Sequence, residues 1–266
     1  MSDSAHPLPH LSRAPIVEAL IDFRVRLPAD FEVTRFKDVH AQFEAAYPKI
    51  EERKFNEHKF EHAPDKEPSH TIADRGIHGY LFHSADGTQI VQFRRDGFTF
   101  NRLKPYTSWE QVFAEATWFW KLYVQTCQPI DISRIAVRYI NRLMLPGPDL
   151  EFSDYLAAPP PTPGGPTSSL ADIRPEAAAA TSFIGGFVSR VTINDLDAGI
   201  TAAVVQALEP PADDRYIPVL LDIDVFQKDM LELSPDAVLI RFDKLREAKN
   251  CAFFGSITNK TLEMLK

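Results

Sequence analysis

The segment RIAVRYINRL, residues 134–143, constrains the fold of this chain more than any other stretch. Its apolar and polar positions alternate, which favours a β-strand with one buried face and one polar face. Val137 and Tyr139 fall on the apolar face, and the polar face carries three arginines: Arg134, Arg138 and Arg142. Such a strand has to bring its guanidinium groups to carboxylates on neighbouring strands, to an anionic ligand or to water.

Two other segments repeat this alternation and supply the opposite charge. They are IDFRV within residues 16–25 and LLDIDVF at residues 220–226. Phe23 and Ile223 fall on their apolar sides. Their polar positions are Asp22, Arg24, Asp222 and Asp224. Both halves of the chain therefore offer sheet positions with both signs of charge.

Two interpretations of these charged positions remain open. In the first, opposite charges pair across neighbouring strands of a polar sheet face, and each pair contributes about 0.2–1 kcal/mol to stability. In the second, arginines in a polar cavity hold an anion while carboxylates hold a metal or accept protons. The ligand-binding residues of this second interpretation are Arg24, Arg138, Arg142, Asp22, Asp222 and Asp224. The first interpretation is favoured, because the acidic positions are few and no lysine accompanies Glu18.

The order of the elements predicts an α+β protein made of two similar halves. Residues 16–127 run as a strand, a helix, three strands and a long helix. Residues 131–254 repeat this order with a loop-like insert in place of the first helix. We expect a duplicated β-(α)-β-β-β-α unit, with mainly antiparallel sheets each covered by a long helix. Two ordinary α+β domains that share this order are the alternative.

Composition sets the expected boundaries of the two halves. Residues 1–14 are expected to form a loose N-terminus, followed by a first half at residues 15–128 and a second half at residues 129–266. A Pro- and Gly-rich surface loop is predicted at about residues 157–180.

Local patterns predict the individual elements of the first half. Apolar spacing favours a helix at residues 31–47, and mixed charge favours an exposed excursion or an irregular strand at residues 49–76. Turn signals within residues 79–103 predict a three-stranded meander. A long helix is expected at residues 107–127, with Ser108 as one candidate N-cap.

Charge and cysteine usage narrow the class of protein. The net charge of −8 argues against general nucleic-acid binding, because a phosphate backbone requires a basic surface. The sequence contains neither a secretion signal nor an apolar run of about 18 residues, so no membrane segment is expected. Cys127 and Cys251 are too few for a disulfide framework or a zinc site and are expected to be reduced and buried, as in a cytoplasmic protein.

The motifs in the sequence predict neither a cofactor nor a metal. A P-loop, a G-x-G-x-x-G fingerprint and a G-x-S-x-G elbow are all missing from the sequence. His58 and His62 are four positions apart and would share a metal on a helix, but a third ligand is not evident. Because these patterns assign no catalytic residue, it stays open whether the chain is an enzyme.

Several motifs occur in a fixed order along the chain: APIVEALIDFRV, DGFTFNRLKPYTSWE, RYINRL, PVLLDIDVF and SIT. Together they resemble a sporadically distributed bacterial protein family of unassigned function, over nearly the whole chain from about Pro15 to Leu265. The resemblance implies a stand-alone cytoplasmic bacterial protein without an agreed activity or cofactor. The patchy occurrence of such proteins suggests a mobile-element or defence setting, and no catalytic residue carries over from the resemblance.

The leading functional hypothesis is a binding or regulatory module that presents a sheet face or the Pro-rich loop to a protein partner. The alternative is an anion- or phosphate-binding protein, or an enzyme, with a charged cavity on the sheet face. The alternative requires charged side chains that converge with an excess of one sign. The leading hypothesis predicts that the charges pair locally and that an exposed apolar patch lies elsewhere. An oligomeric state is left open.

Overall fold

The computed structural model describes most of the chain. The described residues are 9, 11–61, 69–147, 150–159, 185–210, 215–231 and 235–266, with side chains except at 55–61, 69–75, 229–231 and 235–236. The predicted surface loop at residues 157–180 lies outside the described residues except for its first three positions. The predicted loose N-terminus lies outside them except for Pro9 and residues 11–14.

One antiparallel sheet of nine strands dominates the described part of the chain. The strands are β1 (Ile16–Arg26), β2 (Lys49–Glu61), β3 (Ser69–His83), β4 (Gln89–Arg94), β5 (Gly97–Leu103), β6 (Asp131–Pro146), β7 (Val188–Asp195), β8 (Ile200–Leu208) and β9 (Tyr216–Leu231). Their order across the sheet is β2-β3-β4-β5-β1-β6-β9-β8-β7. The predicted mixture of helices with a mainly antiparallel sheet is therefore confirmed.

Four α-helices accompany the sheet in the described ranges. They are α1 (Arg35–Asp38), α2 (Trp109–Cys127), α3 (Pro235–Ser256) and α4 (Asn259–Leu265). Short 3-10 turns occupy Val39–Gln42 and Phe152–Asp154. The predicted cap of α2 is confirmed, because the side chain of Ser108 accepts a hydrogen bond from the backbone N–H of Gln111.

The two long helices cover one face of the sheet through an aromatic core. Phe23 of β1 stacks on Trp120 of α2 with ring centroids 3.9 Å apart, and it also contacts Phe242 of α3 at 5.1 Å. Both helices therefore meet at the same central strand. Each of these buried rings contributes about 1.5–3 kcal/mol through its burial. The alternating apolar positions of β1 and β6 thus face the helices, as the sequence pattern predicted.

The pairing of β1 with β6 joins the two predicted halves into a single sheet. The strands run antiparallel, with Ile21 opposite Val137 and Asp22 opposite Ala136. Separate sheets for the two halves were expected, but each strand would then leave an open edge. The pairing satisfies both edges, since β5 and β9 hold the other sides of β1 and β6. The proposed duplication of the halves remains a prediction.

Two local expectations differ from the structure, and a third agrees with one of its alternatives. The helix expected at residues 31–47 is reduced to α1 and one 3-10 turn, and Thr34 makes no capping hydrogen bond through its side chain. The segment at residues 49–76, expected as an exposed excursion or an irregular strand, forms the paired strands β2 and β3 where it is described, with shifts of register near Arg53. Cys127 is buried as expected, but Cys251 is exposed.

Gly97 allows β5 to approach β1 closely, and Gly97→Ala is expected to lower stability strongly. Its φ of 156° is unusual for other residues, and an added Cβ would lie 2.0 Å from the carbonyl oxygen of Phe23. The clash with backbone should lower the free energy of unfolding by about 3 kcal/mol or more. Gly255→Ala in α3 is the control, since its Cβ meets open space and should raise stability by about 0.5–1 kcal/mol. Chemical denaturation of both variants tests this, and equal stabilities would contradict it.

Candidate functional site

The carboxylate of Asp22 is the centre of a hydrogen-bonded charge network on the sheet face opposite the helices. Its Oδ1 accepts from Arg94 Nη2 at 3.1 Å and from Thr99 Oγ1 at 2.7 Å. Its Oδ2 accepts from Arg134 Nη1 at 3.0 Å and from Arg24 Nε at 3.3 Å. Three arginines from three strands thus share one carboxylate, which is itself almost buried.

Arg94 is the most deeply buried cation of this network, with 3% of its side chain exposed. It also donates to Asp96 Oδ1 at 3.1 Å, and Asp96 pairs with Arg24 and with His78. Burial by itself would raise the pKa of Asp96, but Arg94, His78 and Arg24 overcome this effect and lower the pKa to about 2. Asp96 therefore stays ionised and balances the buried guanidinium group.

The remaining charges on the same face form local ion pairs, and Arg134 bridges Asp22 and Asp224. Arg134 donates to both oxygens of Asp224 at 2.9 and 2.8 Å. Arg138 forms a bidentate pair with Asp222 at 2.8 and 2.6 Å, and this hydrogen bonding raises the pKa of Arg138. Burial raises the pKa of Asp224, although Arg134 opposes this shift. One further pair joins Arg142 to Glu209 at 2.6 Å.

The six predicted ligand-binding residues thus lie on one sheet face but divide among local ion pairs. Five guanidinium groups meet five carboxylates there: Arg24, Arg94, Arg134, Arg138 and Arg142 with Asp22, Asp96, Asp222, Asp224 and Glu209. The three cavities described below are lined by none of the six. The sequence analysis missed Arg94 and Asp96 as members of the network, because only the pairing of β4, β5 and β1 brings them to Asp22.

A large cavity lies on the helix side of the sheet. It is bordered by the residues before β1, by the start of α2 and by the middle of α3. Its volume is about 670 Å³, and a neighbouring cavity of about 280 Å³ shares part of its lining. The two volumes, together termed the Lys249 cavity, share a wall that includes Tyr139, Arg246, Lys249 and Asn250. The loop at residues 104–108 closes the far side of the larger volume.

Two cations in the wall of the Lys249 cavity each lie over an aromatic ring. The Nζ atom of Lys249 lies 4.1 Å from the ring centroid of Tyr139, whose hydroxyl contacts that of Tyr106 at 3.0 Å. Arg246 pairs with Glu110 at 3.2 Å and lies over the ring of Trp109. Among the side chains that the structure describes, no carboxylate lies within ion-pair distance of Lys249.

Burial lowers the pKa of Lys249 to about 8, and repulsion from Arg246 adds to this shift. Burial also raises the pKa values of Tyr139 and Tyr106, so both hydroxyls stay protonated at neutral pH. The cavity can therefore hold an anion, and Lys249 can carry or release a proton close to physiological pH. No local pattern in the sequence indicates this cavity, because its walls come from segments far apart in the chain.

A third cavity, of about 500 Å³, is an apolar groove between the edge of the sheet and α3. Its lining, termed the β7 groove, is formed mainly by Val191, Ile193, Ile200, Ala202 and Val204 on the sheet and by Ala248, Cys251, Ala252 and Gly255 on α3. Val191 and Ile193 are 52% and 54% exposed. Exposed apolar side chains on an edge strand are unusual and mark a surface that another segment can cover.

Comparison of the chain with family models, with curated proteins and with solved structures finds no match. The resemblance to the sporadically distributed bacterial family therefore stays a prediction. Of the helices in the described ranges, none is both long and apolar enough to cross a membrane. The described residues contain no group of three His, Cys, Asp or Glu side chains placed to hold a metal, and the side chains of His58 and His62 lie outside them.

Asp22→Asn tests whether the network on the polar face is structural. The amide removes one of the two carboxylate charges that compensate buried Arg94, and the same charge also serves Arg24 and Arg134, so the free energy of unfolding should fall by about 3 kcal/mol or more. Glu209→Gln is the matched control, because its partner Arg142 is 45% exposed and the loss should stay below about 1 kcal/mol. Urea denaturation measures both changes, and a loss for Asp22→Asn no larger than that of the control would contradict a structural role.

Lys249→Met tests whether the charge of Lys249 costs stability. Because folding lowers the pKa of Lys249 from 10.5 to about 8, the unfolded chain binds more protons between these values, and stability should rise with pH across this window. The variant should raise the melting temperature at pH 7 by about 2–4 °C, for a gain of about 1 kcal/mol. This advantage should fade toward pH 10.5. A melting temperature below that of the parent at pH 7 would contradict the prediction.

Proposed function

We propose that this chain is a cytoplasmic bacterial protein-binding module, and that an amphipathic helix of its partner docks in the β7 groove. The observation that carries the proposal is the apolar groove itself, with its half-exposed Val191 and Ile193. The local pairing of charges on the opposite sheet face supports the same hypothesis over an anion site there. Regulation through such a contact needs no catalytic residue.

The layering of the sheet favours a helix as the occupant of the β7 groove. A helix is about 10 Å wide and strands lie about 4.8 Å apart, so one helix covers about two strands. Helix α3 packs mainly against β9 and β6 and less against β8. Among the described residues, no helix lies over β7, so a docked helix would continue the helical layer to the edge of the sheet.

The side of α3 that faces the groove suits a close helix neighbour. It presents small residues three or four positions apart: Ala248, Cys251, Ala252 and Gly255. Small side chains let two helix backbones approach closely, and the apolar sheet residues would receive the larger side chains of the partner. The chemistry expected of the partner is therefore a helix with one apolar stripe.

The setting and origin of the chain form part of the same proposal. The resemblance to a patchily distributed bacterial family favours a partner encoded nearby, in a mobile-element or defence context. The adjacency of β5 to β1 and of β9 to β6, each followed by a long helix, supports a duplicated β-(α)-β-β-β-α unit. Among the described residues the first half carries one extra strand, since four strands follow α1 and three follow β6. In this account β1 and β6, the first strands of the two units, form the junction.

A photo-crosslinker attached to Cys251 tests the docking directly. Cys251 lines the groove and is exposed, whereas Cys127 is buried, and burial raises the pKa of its thiol to about 12, so labelling should be selective. The full chain, labelled and mixed with lysate of the native host, should yield a crosslinked peptide from another protein with an amphipathic helical pattern. Crosslinks confined to residues 160–184 of the same chain, or to a second copy distinguished by isotope labelling, would contradict the proposal.

Ile193→Lys should abolish that crosslink by placing a charge in the groove. We expect the crosslinked partner peptide to decrease by about tenfold or more, because burying an unpaired charge costs more than the 1.4 kcal/mol that corresponds to a tenfold loss. Ile240→Lys is the matched control, since Ile240 is 72% exposed on α3 outside the groove. Quantitative mass spectrometry compares the two, and equal crosslinking would remove the groove as the docking surface.

A further inference from the structure

The lining of the Lys249 cavity is positively charged, although the chain as a whole is acidic. The whole chain carries a net charge of −8, yet the larger volume of the cavity is lined by four cations and one carboxylate. The cations are Arg13, Lys104, Arg246 and Lys249, and the carboxylate is Glu110. A local excess of positive charge within an acidic protein is what an anionic ligand would require.

Lys249 is a partly buried cation with no carboxylate partner among the side chains that the structure describes. Its Nζ atom faces the ring of Tyr139 at 4.1 Å, which satisfies only part of the charge. Arg246, one helical turn earlier, shares its charge with Glu110 but still repels Lys249. An anion between Lys249 and Arg246 would relieve both the desolvation of the lysine and this repulsion.

The start of α2 adds to the attraction for an anion. Thr107, Ser108, Trp109 and Glu110 line the larger volume, so the positive end of the dipole of this 19-residue helix lies at its wall. The N–H of Gln111 is already bonded to the side chain of Ser108, so the helix start acts through its dipole alone. Several nearby cations favour a dianion over a carboxylate. The volume of about 670 Å³ falls in the range of small-molecule sites.

We propose that the Lys249 cavity binds a phosphorylated small molecule, with its phosphate between Lys249 and Arg246 and its remaining atoms against Tyr106 and Trp109. This site lies on the helix side of the sheet, away from the ion pairs of Arg134 and Arg138. It does not depend on the docking proposed for the β7 groove. The anion site that the sequence left open as the alternative would thus have a counterpart, with different residues and on the other face.

Pyridoxal 5′-phosphate is a suitable chemical probe, because it combines a phosphate with an aldehyde that reports on lysines. The neutral amine of Lys249 adds to the aldehyde carbon, water leaves, and borohydride then donates a hydride to the imine to give a stable secondary amine. Pyridoxal, which lacks the phosphate, is the control reagent, and labelling rates are normalised to an exposed lysine because pyridoxal holds part of its aldehyde as an internal hemiacetal. Peptide mass spectrometry measures the labelled fraction of each lysine in the full chain.

We expect pyridoxal 5′-phosphate to label Lys249 about tenfold or more faster than pyridoxal does, because a charge-assisted phosphate contact contributes about 1.5–3 kcal/mol. Lys244, an exposed lysine on the same helix, is the reference, and the rate of Lys249 is taken relative to the rate of Lys244 for each reagent. Inorganic phosphate should protect Lys249, whereas acetate at equal ionic strength should not. Equal labelling of Lys249 by both reagents, or protection by acetate as strong as by phosphate, would overturn the proposal.

Arg246→Gln separates phosphate binding from the reactivity of Lys249 alone. The variant removes one proposed phosphate contact but keeps the lysine, so the preference for the phosphorylated reagent should shrink to about threefold or less. Circular dichroism checks that the variant is folded. Lys104→Met, at the exposed rim of the cavity, is a second variant that leaves the pair of Arg246 with Glu110 intact. It should weaken the preference for the phosphorylated reagent less than Arg246→Gln does. A preference that is unchanged in both variants would overturn the assignment.

Discussion

The antiparallel pairing of β1 with β6 is the constraint on which the rest of the structure depends. It makes one sheet from two sets of strands and aligns their alternating positions, so that apolar residues of both strands face α2 and α3. The same register brings Arg134 of β6 to Asp22 of β1. A shift by one residue would turn every apolar side chain to the charged face, which the buried aromatic core strongly opposes.

The two faces of the sheet consequently have different roles. On the polar face, Arg94 is buried and every guanidinium group of the network has a carboxylate partner. These cations therefore have little free capacity for a ligand. On the helix side, Lys249 remains uncompensated by any described carboxylate, and the β7 groove remains apolar and accessible. Both proposed interactions therefore lie beside α3, where the coverage of the sheet is incomplete, and the polar face mainly holds the strands in register.

Local patterns in the sequence predicted much of the fold and little of the site. Alternation identified the buried and polar faces of β1, β6 and β9, and Ser108 marked the start of α2. The short α1 was overestimated, because apolar spacing alone does not supply a helix cap. Asp96 and Lys249 became recognisable only from long-range pairing and packing, since Arg24 and His78 beside Asp96, and Tyr139 beside Lys249, are distant in sequence.

The most direct test of the central claim measures which arginine and lysine side chains change their NMR signals when phosphate binds. Side-chain NMR of ¹⁵N-labelled arginine and lysine, recorded while inorganic phosphate is titrated at constant ionic strength, reports on each group separately. The account predicts saturable shifts at Lys249 and Arg246 and unchanged signals for Arg94, Arg134 and Arg138. Saturable shifts at the arginines of the polar face, with Lys249 unaffected, would contradict it.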